Sequence, residues 1–148
     1  MASKHYTSAE LKKHIQEEYA SLRPMAESEG YYLHLGVEFT NGTPRGMEAT
    51  YCYADEDGYH YRYVERGVDV RHDITKSVFE ISYLVIKPLV FSMACDYERK
   101  HRIGTQDSRR IIFKKELQLL GVIGENYKKR AEVENHEILS KYPFQDRL

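Results

Sequence analysis

Three features of the sequence predict an α+β protein: an N-terminal helix, an antiparallel meander sheet of three to four strands, and a C-terminal group of three or more helices packed on one sheet face. The apolar period is helical before Pro24, close to two between residues 31 and 71, and helical again after Asp73. The strand-like segments are separated by short turn-forming runs, which favours sequential antiparallel pairing. No repeat, low-complexity tract or long linker interrupts the 148 residues, so residues 1–148 are read as a single domain.

Each element has its own signal. Thr7-Ser8-Ala9-Glu10 reads as a capping box, followed by Leu11, Ile15, Tyr19 and Leu22 on one helical stripe that Pro24 ends or kinks. Residues 31–39 alternate, with Leu33, Leu35, Val37 and Phe39 on one side and Tyr32, His34 and Glu38 on the other, as in a half-buried strand. Asn41-Gly42 and Pro44-Arg45-Gly46 supply turn chemistry before a second strand over residues 47–54. Asp55-Glu56-Asp57-Gly58 is a hairpin signal leading into a third strand over residues 59–65. Arg66-Gly67 turns into a short fourth strand over residues 68–71.

The hairpin loop length decides where the tyrosines face. An odd loop pairs Tyr51 with Tyr63 and Tyr53 with Tyr61, placing all four on one face, whereas an even loop splits them. The odd loop is preferred, because the first strand also carries its apolar residues at odd positions.

After the strands, Asp73, Thr75 and Ser77 all offer helix caps, and Ser77-Val78-Phe79-Glu80 is a second capping box. Residues 78–97 are apolar nearly all round, as in a helix buried on most sides, with Pro88 expected to kink or split it. Asp107 or Ser108 caps the next helix, whose expected core face is Ile112, Phe113, Leu117 and Leu120, with Gly121 and Gly124 at its end. A last helix runs over about 125–142 and stops before Pro143.

Composition narrows the class. Hydrophobic residues make up 41% and charged residues 30%, a globular balance, and the net charge of −1 gives no global attraction to nucleic acid or membrane. The apolar run 78–95 contains Glu80, Lys87 and Pro88, which argues against a membrane span. Residues 1–6 are polar and lack a signal-peptide core. Two isolated cysteines, Cys52 and Cys95, suggest neither a disulfide scaffold nor a zinc site and fit a reducing cytoplasm. Thirteen tyrosines against five phenylalanines and no tryptophan suit half-buried sheets and recognition surfaces.

Charge is segregated along the chain. Residues 25–98 carry 6 basic and 13 acidic groups, and residues 99–130 carry 10 basic and 3 acidic groups. Placed on different surfaces, these blocks make a dipolar molecule whose acidic side steers a basic partner; packed together, they neutralise each other.

Signals for catalysis are sparse. Glu98 and His101 form half of a di-metal Glu-x-x-His signature with no second half, and Arg99, Lys100 and Arg102 beside them oppose a cation; metal binding is not expected. His34, Glu48 and His60 would make an acid–base or ligand site only by converging on one pocket. Cys52 has no activating base nearby in sequence. The basic run from Arg99 to Arg130 offers an alternative, a small nucleic-acid-binding module, although Asp107 and the apolar Ile111, Ile112 and Phe113 interrupt it. Glu65-Arg66-Gly67 places charges at a strand end, where they serve a structural clamp or a partner.

Several motifs, in order, resemble the immunity protein 63 family. They are Tyr61-Arg62-Tyr63-Val64-Glu65-Arg66-Gly67; Thr75 opening a long apolar helix; Ala94-Cys95-Asp96-Tyr97-Glu98 with His101-Arg102; Asp107-Ser108-Arg109-Arg110 with Phe113; and Ile138-Leu139-Ser140-Lys141-Tyr142-Pro143-Phe144 with Asp146. The resemblance spans roughly residues 59–146 and implies a single immunity-protein-like domain. Such a protein is made in the cytoplasm, is not an enzyme, needs no cofactor, and binds the C-terminal domain of a cognate polymorphic or contact-dependent growth-inhibition toxin, often a nuclease. The shared polar residues Glu65, Arg66, Gly67, Glu98, Arg102, Asp107, Arg109 and Arg110 are then expected to be scaffold. The partner-binding surface is expected at the acidic hairpin, from Tyr53, Asp55, Glu56, Asp57, Tyr59, His60 and Arg62. No membrane and no direct nucleic-acid contact are expected, and a homodimer is left open.

Overall fold

The computed structural model describes residues 5–42 and 48–147. The turn expected at Pro44-Arg45-Gly46 and the strand start at Met47 lie outside the described residues. Helices α1 (Ser8–Ala20) and α2 (Arg23–Glu29) precede strands β1 (Glu38–Phe39), β2 (Ala49–Asp55), β3 (Gly58–Glu65) and β4 (Val68–Thr75). Helices α3 (Val78–Lys100), α4 (Arg109–Ile123) and α5 (Glu125–Lys141) follow. The α+β order is therefore the expected one, with a four-stranded sheet in the order β1-β2-β3-β4. The chain forms two compact units, residues 1–20 with 34–88 and residues 21–33 with 89–148, and their boundary within α3 falls after Pro88.

In the first unit, Thr7 and Glu10 close both halves of the capping box. Glu10 N–H donates to Thr7 Oγ1 at 3.2 Å, and Thr7 N–H donates to Glu10 Oε1 at 3.1 Å. Leu11 and Ile15 are fully buried, each stabilising the unit by about 1.5–3 kcal/mol. The expected strand over residues 31–39 is only partly a strand. Burial alternates through the segment, with Leu33, Leu35 and Val37 more covered than Tyr32, His34 and Gly36. Ladder pairing, however, is confined to Glu38 and Phe39, which run parallel to Tyr51 and Cys52. Period-two burial needs only an extended backbone, whereas a strand needs a neighbour with free edge groups. The sheet is thus mixed, and only its remaining pairs are antiparallel.

The β2 edge is closed along most of its length. Thr40 N–H donates to the Cys52 carbonyl at 3.2 Å. Ser8 Oγ accepts from Ala54 N–H at 2.9 Å and donates to the Ala54 carbonyl at 3.2 Å. One hydroxyl therefore satisfies both edge groups of Ala54 and ties the start of α1 to the sheet.

The β2–β3 turn has two residues, Glu56 and Asp57, with Asp55 opposite Gly58. This even loop corrects the preferred odd one. Tyr51 and Tyr53 share a face with His60 and Arg62, while Tyr59, Tyr61 and Tyr63 lie on the other with Cys52. Sequence position parity could not reveal this, because the closing residues of the turn set the phase. Gly58 has φ +135°, and a Cβ there would sit 2.7 Å from the Thr75 carbonyl oxygen. The β3–β4 turn is Arg66-Gly67 with φ +52° and +76°, the pair of signs of a type I′ hairpin turn, and Glu48 Oε1 accepts Arg66 N–H at 2.8 Å. Strand β4 is longer than expected, reaching Thr75, where Oγ1 accepts Ser77 N–H; Ser77 Oγ in turn accepts Glu80 N–H and caps α3.

Helix α3 continues through Pro88 without a break. It is long and apolar enough to cross a membrane, yet Ile81, Tyr83, Val85, Ile86, Leu89, Val90, Met93 and Ala94 are all buried within the chain. In the second unit α4 packs on α5. The buried face of α4 is Lys115, Glu116, Leu119 and Leu120, a quarter-turn from the expected Ile112, Phe113 and Leu117, which are half-buried. Lys115 is tolerated inside because Nζ meets Glu29 Oε1 at 2.5 Å and lies 4.2 Å from the centre of the Tyr97 ring.

The two turn glycines are expected to respond differently. Gly67→Ala pays only the positive-φ penalty, about 1 kcal/mol, because no atom lies within 4 Å of its Cβ. Gly58→Ala adds a collision with backbone and is expected to cost about 2–4 kcal/mol. Urea unfolding of the two variants beside the parent measures the difference.

Candidate functional site

Strands β2, β3 and β4 align a polar string on one sheet face. Asp55 closes the turn, and its Oδ1 accepts Asp57 N–H at 2.9 Å. The same oxygen lies 2.7 Å from His60 Nε2, and His60 Nδ1 lies 2.8 Å from His72 Nε2. An ionised Asp55 only accepts, so Nε2 of His60 carries hydrogen, and a single hydrogen lies between His60 Nδ1 and His72 Nε2. Tyr53 stacks on His60 with ring centroids 4.5 Å apart and planes 7° from parallel. Arg62 donates to Asp69 Oδ1 at 2.6 Å and reaches the Tyr53 hydroxyl at 3.4 Å. The hydrogen bond from His60 holds the Asp55 carboxyl below its usual range. Burial, then the neighbouring His60 and Arg62, push His72 below its usual value. These groups form a line, each satisfying the next, and do not surround a common point.

The predicted partner-binding residues are thereby sorted. Tyr53, Tyr59 and His60 are buried, at 2%, 1% and 4% exposure, so they present no surface to a partner. Tyr59 instead receives Tyr6 N–H on its hydroxyl at 2.8 Å and stacks on His5. Asp55 and Arg62 are half-buried and engaged in the string, while Glu56 and Asp57 stand exposed at the tip. The sequence showed that these aromatics lie beside the acidic turn, but burial on both sheet faces is a tertiary property.

His34, Glu48 and His60 do not converge. His34 lines a hollow of about 440 Å³ with Lys12, Tyr19 and Glu38, which includes neither of the others. Glu48 is committed to the Arg66 turn and His60 to the string. Burial pushes the Cys52 thiol up to about 12, which suppresses a nucleophilic thiolate. Among the described residues, no group of three or more His, Cys, Asp or Glu side chains is placed to hold a metal ion.

The family-motif residues Asp107, Arg109 and Arg110, expected to be scaffold, make a strap with the tail of the second unit. Arg109 Nη1 and Nη2 donate to the carbonyls of Tyr142 and Pro143 at 2.8 and 2.9 Å. Asp107 Oδ2 accepts Gln145 N–H at 2.9 Å, and Asp146 Oδ1 accepts Asp107 N–H at 2.9 Å. Arg110 forks onto both Asp146 oxygens, and the centre of the Phe144 ring lies 4.2 Å from the Arg110 guanidinium. The Arg109 guanidinium and two backbone N–H groups hold the Asp107 carboxyl well below the usual range. Arg102 forks onto Glu98, lowering that carboxyl too, at one wall of a cleft of about 670 Å³ that Asp107 and Asp146 also line.

The basic block is largely paired. Arg99 and Lys100 meet Asp96, Arg102 meets Glu98, Arg109 meets Asp107, Arg110 meets Asp146, Lys115 meets Glu29 and Arg130 meets Glu134. Acidic residues from before and after the block join the same unit, so it holds 13 basic and 11 acidic groups, against 9 and 12 in the first unit. A bare phosphate-binding face is not what this arrangement offers.

The two units thus present an acidic turn closed by the Asp55 carboxylate and a C-terminal tail tied to the start of α4. Comparison with known families gives the assignment: the model of immunity protein 63 matches residues 55–137, and the chain belongs to that family. It is thus an immunity protein by family, matched from the tip of the acidic hairpin into α5. No curated protein and no solved structure gives a significant match to it.

Two outcomes test these networks. His72 is favoured neutral in the fold, so its contribution to stability is present above its ordinary value of 6.5 and is lost as pH falls through its lowered folded value. Denaturant midpoints are expected to drop between pH 7.5 and 5.5, about as far as that one histidine allows, and His72→Gln is expected to flatten the drop. For the strap, Asp107→Asn is expected to speed amide exchange at residues 144–147 by about tenfold or more, with α3 protection unchanged.

Proposed function

We propose that the chain neutralises one cognate bacterial toxin domain by stoichiometric association in the cytoplasm, with residues 1–148 acting as one immunity module and no catalytic step. The observation that carries this reading, beside family membership, is the tip of the β2–β3 hairpin. Glu56 and Asp57 are exposed there on a turn locked by the Asp55 carboxylate and by Gly58 against Thr75. A preorganised pair of carboxylates loses little entropy on binding and raises the on-rate for a basic surface. If the toxin domain is a nuclease, its phosphate-binding face is such a surface, and the carboxylates would occupy it in place of phosphate. Buried Tyr53, Tyr59 and His60 act from behind by fixing the hairpin.

The test is the toxin C-terminal domain encoded beside this chain, titrated against the parent and the Glu56→Lys/Asp57→Lys variant at several salt concentrations. Asp55 is left intact because it holds the turn. The variant is expected to bind at least about tenfold more weakly, to show a reduced salt dependence, and to fail to protect cells, while melting like the parent. Unchanged affinity and salt slope would move the toxin-binding surface elsewhere on the chain. Turnover of any substrate by the purified chain would refute the non-catalytic reading.

A further inference from the structure

The two sheet edges are treated oppositely. The β2 edge is covered by β1, Thr40 and Ser8, whereas among the described residues β4 pairs only with β3 and is exposed along most of its eight residues. Val68, Val70 and Ile74 on it are 65%, 57% and 52% exposed. Lysine and proline, which often blunt a free edge, are absent from residues 68–75; the bulge between Tyr63 and Val64 leaves Val70 without a ladder partner, so the regular part of the edge is Arg71 to Thr75.

The phase of the free backbone groups follows from the turns. Asp55 and Gly58 close a two-residue hairpin, so alternation turns the N–H and C=O groups of Tyr59, Tyr61 and Tyr63 toward β4. Their partners Thr75, Asp73 and Arg71 use their backbone groups inward. His72 and Ile74 therefore point theirs out of the sheet.

From this edge we infer that β4 pairs antiparallel with β4 of a second copy of this chain, about a two-fold axis at His72. In that register His72 faces His72 of the other copy through outward backbone groups. Arg71 then faces Asp73 and Asp73 faces Arg71, in the non-hydrogen-bonded positions where cross-strand side chains come closest. Sliding by two residues one way sets Asp73 against Asp73, and the other way sets Arg71 against Arg71. Like charges thus disfavour the neighbouring registers that keep the backbone phase. Arg71 is already held flat over the sheet, bonded to Asp73 of its own strand and 5.2 Å from the Tyr61 ring centre, so little ordering remains for the pairing to do. An edge-to-edge contact of this size is small, and association is expected in the micromolar range.

Sedimentation velocity of the free protein, without toxin, tests the pairing. The parent is expected to be predominantly dimeric at about 100 µM and to dissociate on dilution. Arg71→Asp sets four carboxylates together and Asp73→Arg sets four guanidinium groups together, so each variant alone is expected to be monomeric, at least about tenfold weaker in association. Mixed one to one, the two variants are complementary at both positions and are expected to form a heterodimer. The doubly swapped Arg71→Asp/Asp73→Arg chain is expected to regain self-association. Circular dichroism and melting of each variant verify that the fold is kept. A parent that stays monomeric at this concentration overturns the inference, as does a single variant that dimerises as well as the parent or a mixture that stays monomeric. Loss of toxin binding alone would touch the proposed function and leave this result standing.

Discussion

The two-residue turn at Glu56 and Asp57 sets the register of β2 against β3, and from that register most of the first unit follows. A strand alternates its side chains with a strict period of two, so a turn one residue longer would exchange the faces of every residue on one strand. With Asp55 opposite Gly58, Tyr53 meets His60, His60 reaches Asp55 on one side and His72 on the other, and Arg62 reaches Asp69. The opposite face receives Tyr59, whose hydroxyl takes the Tyr6 N–H just ahead of α1. The approach of Thr75 to Gly58 links the turn to the end of β4, and Thr75 then helps to open α3. A single local choice thus links the acidic tip, the polar string and the entry to the long helix.

Electrostatics in the second unit follows a similar logic of local satisfaction. Cations clustered in the chain are distributed among carboxylates from distant positions: Glu29 from α2, Glu134 from α5 and Asp146 from the tail. Several of these pairs are exposed, and individually such pairs contribute little. Their collective effect is on geometry. The planar forks of Arg109 and Arg110 fasten residues 142–146 to the start of α4, and Phe144 gains ring contacts with both guanidinium groups. The family match ends at residue 137, so the matched segment holds the arginines of this strap while its tail partners lie beyond it.

The two units use their charged residues differently. Residues that resemble the family motifs in the second unit are engaged in tying the chain together. The tip of the hairpin is braced from behind by Asp55 and Gly58 and exposes Glu56 and Asp57 in front. The open β4 edge lies on the same sheet, joined to the tip through His60 and His72.

The order of elements, the capping box at Thr7, the Ser77 cap, the turn at Arg66-Gly67 and the family resemblance were all legible in the sequence, because each depends on residues a few positions apart. The alternation over residues 31–39 was legible too, although it encoded burial and only two residues of ladder. What the tertiary structure alone decided depends on contacts between residues far apart in the chain. These are the parallel pairing of β1, the facing of the tyrosines, the burial of Tyr53, Tyr59 and His60, and the neutralisation of the basic block. Local chemistry specifies backbone period and turn type within a few residues. Which face is covered, and which charge meets which, is settled only when separate segments exclude water from one another.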